Sequence, residues 1–338
     1  MLLLLGVAAC SKSEPRPLTV VGWGGTSQDA LRDAYWAPFQ KQTGIALRED
    51  AWHGGVGILR AKSRAGDPGW DVVQVETEEL ILGCEEGIFA RLDWKALGGR
   101  EAYIKPAVQD CGVGAMAWSY LIGYDGDRFK DGPKTWADFW DVKRFPGKRG
   151  LRRTPKYTLE IALMADGVKP ADVYKVLSTP QGVARALRKL DAIKPYVVWW
   201  SSISQVPDLL ASGEISMSVT SPGRLVVANH NEHRNFKLAW DQNIYAVDFW
   251  AILNGGPRQA EALKLIRYMG EPENQVRLAK LIPTGLTNKK GIALAGPQLE
   301  QETPLGAGHM ERALELDARF WVENADQLTQ QFNAWLAR

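Results

Sequence analysis

The chain predicts an α/β protein with a mostly parallel sheet flanked by helices, and three observations carry that expectation. Strand-like and helix-like segments alternate from Leu18 onward, the order that builds a parallel sheet. "WDVVQV", Trp70 to Val75, is an almost unbroken apolar run, as expected of a strand buried on both faces. The 338 residues, 45% hydrophobic and 24% charged, exceed one ordinary core and suit roughly two domains.

The elements follow in order. "LTVV", Leu18 to Val21, is a short apolar strand that breaks at Gly22, Gly24 and Gly25. Ser27 is placed to cap an amphipathic helix carrying Leu31, Tyr35, Phe39 and Gln42, which ends at Gly44. "IALRED" alternates as a second strand, and Ile58 to Arg64 reads as a helix before the Gly66–Gly69 loop. The buried strand to Val75 then leads into "TEELILGCEEG", a helix stopped by Gly87. Gly112 to Tyr124 is β-rich, with Trp118 and Tyr120 at its middle. "RRTPKYTLEIALMADGV" reads as a turn followed by a helix, "VARALRKLDAI" as an amphipathic helix, and "VVWW" leads to a helix stopped by Gly213. "ISMSVT" is a strand ending in a Ser-Pro-Gly turn, with Arg224 just beyond it. "AVDFWAIL", Ala246 to Leu253, is strand-like, "PRQAEALKLIRYMG" helical, and the tail from Pro304 mostly helical. No internal repeat is evident.

At the N-terminus, "MLLLLGVAAC" runs apolar from Leu2 to Ala9 and ends in small residues before Cys10. Eight apolar residues are too few for a bilayer, which needs about 20. A secretory signal has this form, although no Lys or Arg precedes the leucines. The Val-Ala-Ala-Cys ending resembles the lipobox of bacterial lipoproteins, which implies lipidation of Cys10, with residues 1–16 as signal and tether. Two further cysteines, Cys84 and Cys111, form an even pair compatible with a disulfide in an exported chain. The formal charge of +2, with no block of like charges, argues against a nucleic-acid partner. His53, His230, His233 and His309 show no metal-ligand spacing, and "HNEH" sits in a polar stretch expected to be a solvated loop. No metal or cofactor is expected.

The order of elements resembles the type II periplasmic solute-binding proteins of ABC importers, in particular the spermidine/putrescine-binding group. Its carriers are "PFQKQTGI", "WDVVQV", "TWADFWDVKRFPGKRG", "LLASGEISM" and "NGGPRQAEALKLIRYMGEPENQ". The resemblance implies two α/β lobes that close over solute, lobe 1 from residues 17–121 and 248–290 and lobe 2 from residues 122–247 and 291–338. It also implies a periplasmic, membrane-anchored monomer that delivers its solute to the importer's membrane permease subunits.

Transferred residue by residue, the polyamine site is only partly present. A Trp-Ser-Asp-Tyr stretch becomes Trp23, Gly24, Gly25 and Thr26. The acidic residue near the return strand matches Asp248. The second ammonium-binding carboxylate falls on Arg224, and the aromatic before it on Ser221. A desolvated ammonium must regain an opposite charge or full hydrogen bonding, and a guanidinium instead offers a planar fork to a carboxylate. Asp248 and Arg224 together therefore specify a zwitterion such as γ-aminobutyrate or a related amino-acid-like solute. Trp23 with Trp118 or Tyr120 can pack its spacer and lend cation–π support to the amine. Glu76, Thr77, Tyr157, Trp200 and Ser202 complete the expected cleft. The competing assignments are core packing for the aromatic residues, a helix-terminal acid for Glu76 and a surface position for Arg224. Polyamine binding is the alternative solute class. A secreted lipoprotein enzyme is the alternative function, although no Gly-x-Ser-x-Gly elbow, His-Glu-x-x-His or P-loop is present.

Overall fold

The computed structural model describes residues 16–304 and 308–338, so the expected signal and its lipidation site Cys10 lie outside the described residues. The strands are β1 (Leu18–Gly22), β2 (Leu47–Ala51), β3 (Val72–Val75), β4 (Gly112–Asp125), β5 (Arg149–Arg152), β6 (Val197–Trp200), β7 (Met217–Thr220), β8 (Phe236–Ile252) and β9 (Leu314–Glu315). They form one sheet in the order β2-β1-β3-β8-β4-β7-β5-β6, with β9 alongside β8. Parallel pairs β1–β2 and β1–β3 make one half, and parallel pairs β5–β6 and β5–β7 make the other. The long strands β4 and β8 run antiparallel to each other through both halves. β8 pairs β3 through Phe249–Ile252 at one end, and β4 pairs β7 through Leu121–Tyr124 at the other.

Two lobes follow from this geometry, each with its own core. The first packs Leu18, Trp36, Val73, Leu80, Phe249 and Leu265. The second packs Ile122, Trp136, Leu163, Leu190, Val219 and Phe332. Around the sheet lie α1 (Gly25–Leu31), α2 (Ala37–Thr43), α3 (Val56–Ser63), α4 (Thr77–Glu85), α5 (Trp136–Trp140), α6 (Pro155–Ala165), α7 (Val173–Leu177), α8 (Pro180–Ile193), α9 (Val206–Ala211) and α10 (Pro222–Glu232). They are followed by α11 (Gln259–Met269), α12 (Pro272–Leu281), α13 (Lys289–Glu302) and α14 (Ala318–Leu336). Among the described residues, no helix is long and apolar enough to cross a membrane.

Two local expectations need correcting, and one strand was not anticipated. Ser27 does not cap the first helix, because Gly24 and Gly25 adopt φ of 71° and 59° and Gly24 takes the N-cap of α1 three residues earlier. Only glycine enters that region without strain, so the backbone turns sharply straight after Trp23. His230 lies in the last turn of α10 and His233 is its left-handed C-cap, where an open loop was expected. The basic stretch around Arg149 is strand β5, held because the Arg149 guanidinium is fully buried and donates to the carbonyls of Phe139 and Phe145. A Cys84–Cys111 disulfide ties the end of α4 to the approach to β4.

Candidate solute-binding site

The site is assembled where β1, β3, β4 and β8 meet, around Asp248. In β8 this residue lies opposite Met116 of β4, so Trp118 is its diagonal neighbour on the same face. On the other side, Gln74 of β3 pairs with Trp250, which makes it diagonal to Asp248 as well. Both neighbours use that position. Trp118 Nε1 donates to Asp248 Oδ1 at 2.7 Å and Gln74 Nε2 to Oδ2 at 3.0 Å. Trp23, at the end of β1, donates Nε1 to Oδ2 at 2.8 Å. Its indole is set by stacking on Trp52, with centroids 5.4 Å apart and planes 10° from parallel.

Asp248 is only 6% exposed, and no cation among the described residues pairs with it. Burial, reinforced by the nearby charge of Glu76, pushes its carboxyl up to about 7, while the three N–H donors pull the other way. Near neutral pH the carboxyl is therefore poised between its two forms, and a cation brought beside it favours the charged one. Gln74 Oε1, also buried, has no hydrogen-bond partner.

Beyond Trp118 the wall is aromatic. Trp118 and Tyr120, two residues apart in β4, share a face and meet edge to face at 5.5 Å. Tyr157 meets Tyr120 at 4.5 Å and Trp118 at 5.9 Å. Tyr157 is held at φ 74°, ψ −41° at the start of α6, a conformation that costs a non-glycine residue on the order of 1–3 kcal/mol.

Arg224 lies in the first turn of α10. It is exposed, and its guanidinium makes no hydrogen bond or ion pair with the described residues. It nevertheless acts on this wall: burial pushes the Tyr120 phenol up, while the charges of Arg152, Lys156 and Arg224 pull it down. Ser221 occupies the N-cap of α10 but makes no side-chain capping bond.

The other expected residues divide. Glu76 is the N-cap of α4 in a reciprocal capping box with Glu79, and it also reaches Lys156 Nζ at 3.4 Å. Thr77 donates Oγ1 to the Val247 carbonyl at 3.0 Å, fastening α4 beside Asp248. Gly24 donates its N–H to Gln28 at 3.1 Å, whereas Gly25 and Thr26 are exposed beside Trp23. Trp200 is core: it is 2% exposed and donates to Ser218 Oγ at 3.2 Å. Ser202 spends its hydroxyl capping the short turn at Ile203–Gln205. Neither joins the aromatic wall.

Gln74, Arg152 and Lys156 were not singled out from the sequence. Arg152 Nη1 donates to the Tyr120 hydroxyl at 3.2 Å, and Lys156 pairs with Glu78 as well as Glu76. A polar residue inside the apolar run "WDVVQV" was the available signal for Gln74.

A separate groove of about 1010 Å³ is lined by Thr77, Met164, Tyr174, Gln242 and Leu316, among others. Its lining includes neither Asp248 nor Arg224. Chemistry favours the Asp248 cluster, where a buried carboxylate without a cationic partner among the described residues meets two indole donors.

A two-lobed sheet crossed by two long strands, with a buried anion at the crossing, defines a solute-binding protein. The chain belongs to the bacterial extracellular solute-binding protein family, which it matches over residues 34–303. It is 39% identical over 334 residues to a gamma-aminobutyric acid-binding protein of Pseudomonas aeruginosa, covering 99% of this chain and 95% of that protein. The putrescine-binding periplasmic protein SpuD of the same species is 26% identical over 72% of each chain. Among solved structures, the Atu4243-GABA receptor superposes with a TM-score of 0.85 at 29% identity, covering 96% of this chain and 98% of that one. MotA of A. tumefaciens B6, in complex with glucopine, gives 0.82 at 27%, covering 95% and 100%.

Proposed function

We propose that the protein is the extracytoplasmic receptor of an ABC importer for a short ω-amino acid, with γ-aminobutyrate the best candidate. The observation that carries this reading is Asp248: a buried carboxylate with three neutral donors, no cationic partner among the described residues, and the unpaired acceptor Gln74 Oε1 at its flank. An ammonium supplies both missing partners. Trp23 and Trp118 flank it, and the Trp118–Tyr120–Tyr157 wall suits a methylene spacer. At the far end Arg224 offers a guanidinium, and the N-terminus of α10 adds its positive dipole end. The relatives whose names carry gamma-aminobutyric acid agree with this chemistry.

In this reading, lobe 1 takes residues 17–121 and 248–302, and lobe 2 takes residues 122–247 and the tail from β9 onward. The second boundary moves past residue 290 because α13 packs Leu299 against Val276 and Ala279 of α12. The receptor is a periplasmic monomer tethered by lipidated Cys10, and it presents its closed form to the permease subunits.

The test is calorimetric titration with γ-aminobutyrate, butylamine, butyrate and 1,4-diaminobutane. The zwitterion should bind at least tenfold more tightly than either truncated analogue. Equal affinity for butyrate and γ-aminobutyrate would remove Asp248 from the site. A preference for the diamine would transfer the protein to the polyamine class, which the Glu76–Glu78 carboxylates favour.

A further inference from the structure

Glu76 and Glu78 stand at the N-terminus of α4 in lobe 1, near the cluster that contains Asp248. The phenols of Tyr120 and Tyr157 both feel Glu76, and Tyr157 feels Glu78 too. Three carboxylates beside an aromatic wall are furniture for a diamine, since each desolvated ammonium needs its own anion. This cleft nevertheless differs in one respect. Lys156, from lobe 2, places its ammonium 3.4 Å from Glu76 Oε2 and in an ion pair with Glu78. Its side chain is 19% exposed and that of Glu78 18%, so this is a partly desolvated pair rather than a surface one. The ammonium also lies 5.3 Å from the Tyr157 ring, in cation–π range.

The backbone holds Lys156 in that position. Thr154 and Pro155 open α6, Lys156 is extended at φ −59°, ψ 131°, and Tyr157 follows in its strained conformation. The chain therefore leaves the helical path for two residues, which aims Lys156 across the cleft at α4 and Tyr157 at Tyr120. A helical Lys156 would project from the side of α6 instead.

We propose that Lys156 is a specificity-determining residue: a tethered ammonium that occupies the Glu76–Glu78 pair and so excludes diamines from a cleft otherwise equipped for them. The proposal rests on the Asp248 cleft being the solute site. Lys156 takes the place of a second ligand cation between Glu76 and Glu78, Glu79 is already engaged by the N–H groups of Gly55 and Glu76, and Asp248 is left as the carboxylate offered to an incoming amine. The same pair joins the lobes, so it also favours the closed form.

The test is titration of the wild type, Lys156→Met and Lys156→Arg with 1,4-diaminobutane and γ-aminobutyrate at pH 8. Lys156→Met should bind the diamine at least tenfold more tightly than the wild type does, and γ-aminobutyrate more weakly because the lobes lose a contact. Lys156→Arg, which keeps the cation, should discriminate as the wild type does. Lys156→Gln replaces the Met variant if that chain fails to fold. Parallel losses for both ligands, or no gain for the diamine, would overturn the proposal and assign Lys156 to lobe closure alone. Failure of the wild type to bind γ-aminobutyrate would sink the functional reading separately, while the diamine comparison would still judge Lys156.

Discussion

Affinity for an amine-bearing solute should fall steeply below pH 7, because proton and ligand compete for one carboxylate. Burial and the charge of Glu76 hold the Asp248 carboxyl at about 7, and only its ionised form attracts an ammonium. The groups that touch it (Trp23, Trp118 and Gln74) do not titrate in this range. The solute's own amine and acid, near ordinary Lys and Glu values, keep their charges between pH 5 and 8. Below the carboxyl's pKa each pH unit then costs about tenfold in apparent affinity, so the fall from pH 8 to pH 5 is roughly 100-fold, or about 2.7 kcal/mol. Titration calorimetry in two buffers of different ionisation enthalpy reads both the affinity and the proton released on binding, which should approach one per solute at pH 6. Asp248→Asn should bind weakly and without pH dependence. A wild-type affinity that stays flat from pH 5 to 8, with no proton release, would refute the reasoning.

Other expectations follow from the same geometry. Arg224→Ala should weaken γ-aminobutyrate several-fold or more yet leave butylamine nearly unaffected; equal losses in titration would mean that Arg224 does not meet the carboxylate. Glu160 is buried, with Oε1 accepting from Trp321 at 2.7 Å and Tyr174 at 3.1 Å while Oε2 has no partner, and burial pushes its carboxyl up to about 7. The folded value lies above the unfolded one, so the folded chain holds more protons and stability falls as pH rises from about 4.5 to 7. Glu160→Gln should therefore raise the melting temperature at pH 8 but much less at pH 5, and an equal rise at both would exclude charge as the cause. The Cys84–Cys111 bond spans a sequence separation of 27, for which chain entropy gives about 3–4 kcal/mol. Urea denaturation of the double Ser variant should show that loss, and a change below about 1 kcal/mol would show that the unfolded chain gains little from release.

The first lobe was legible in the sequence because its signals are local. Apolar runs, glycine stops and the alternation of strand and helix sit within a few residues of each other, and β1, β3 and α4 appear where those signals put them. The Trp23, Trp118 and Asp248 cluster was reached by resemblance, and the structure joins the three through two indole N–H bonds. What escaped depends on distant pairs. Lys156 lies 80 residues from Glu76, and nothing in "RRTPKY" announces the two non-helical residues that aim it. β5 was hidden because a buried arginine satisfied by carbonyls reads as surface charge. Trp200 and Ser202 failed for the opposite reason, since an aromatic in an apolar run and a serine before a helix each have an ordinary structural use, and both have taken it.

Carboxylates of two kinds therefore stand in one cleft, and the difference between them decides how many ammonium groups it accepts. Asp248 is stabilised by dipoles, which lower the cost of burying its charge without cancelling that charge. Glu76 and Glu78 share one cation, which cancels one of their two charges. The cleft therefore stays acidic on the lobe 1 side, but Lys156 occupies both glutamates and Glu79 is engaged by the N–H groups of Gly55 and Glu76. Asp248 is the carboxylate that meets indole donors with no cation in contact among the described residues. A solute with two amines would have to displace Lys156 from a partly buried pair and leave that ammonium without a partner, a loss that truncation of such pairs puts at roughly 2–5 kcal/mol. A solute with one amine and one acid displaces no ion pair, because neither Asp248 nor Arg224 has an oppositely charged partner among the described residues.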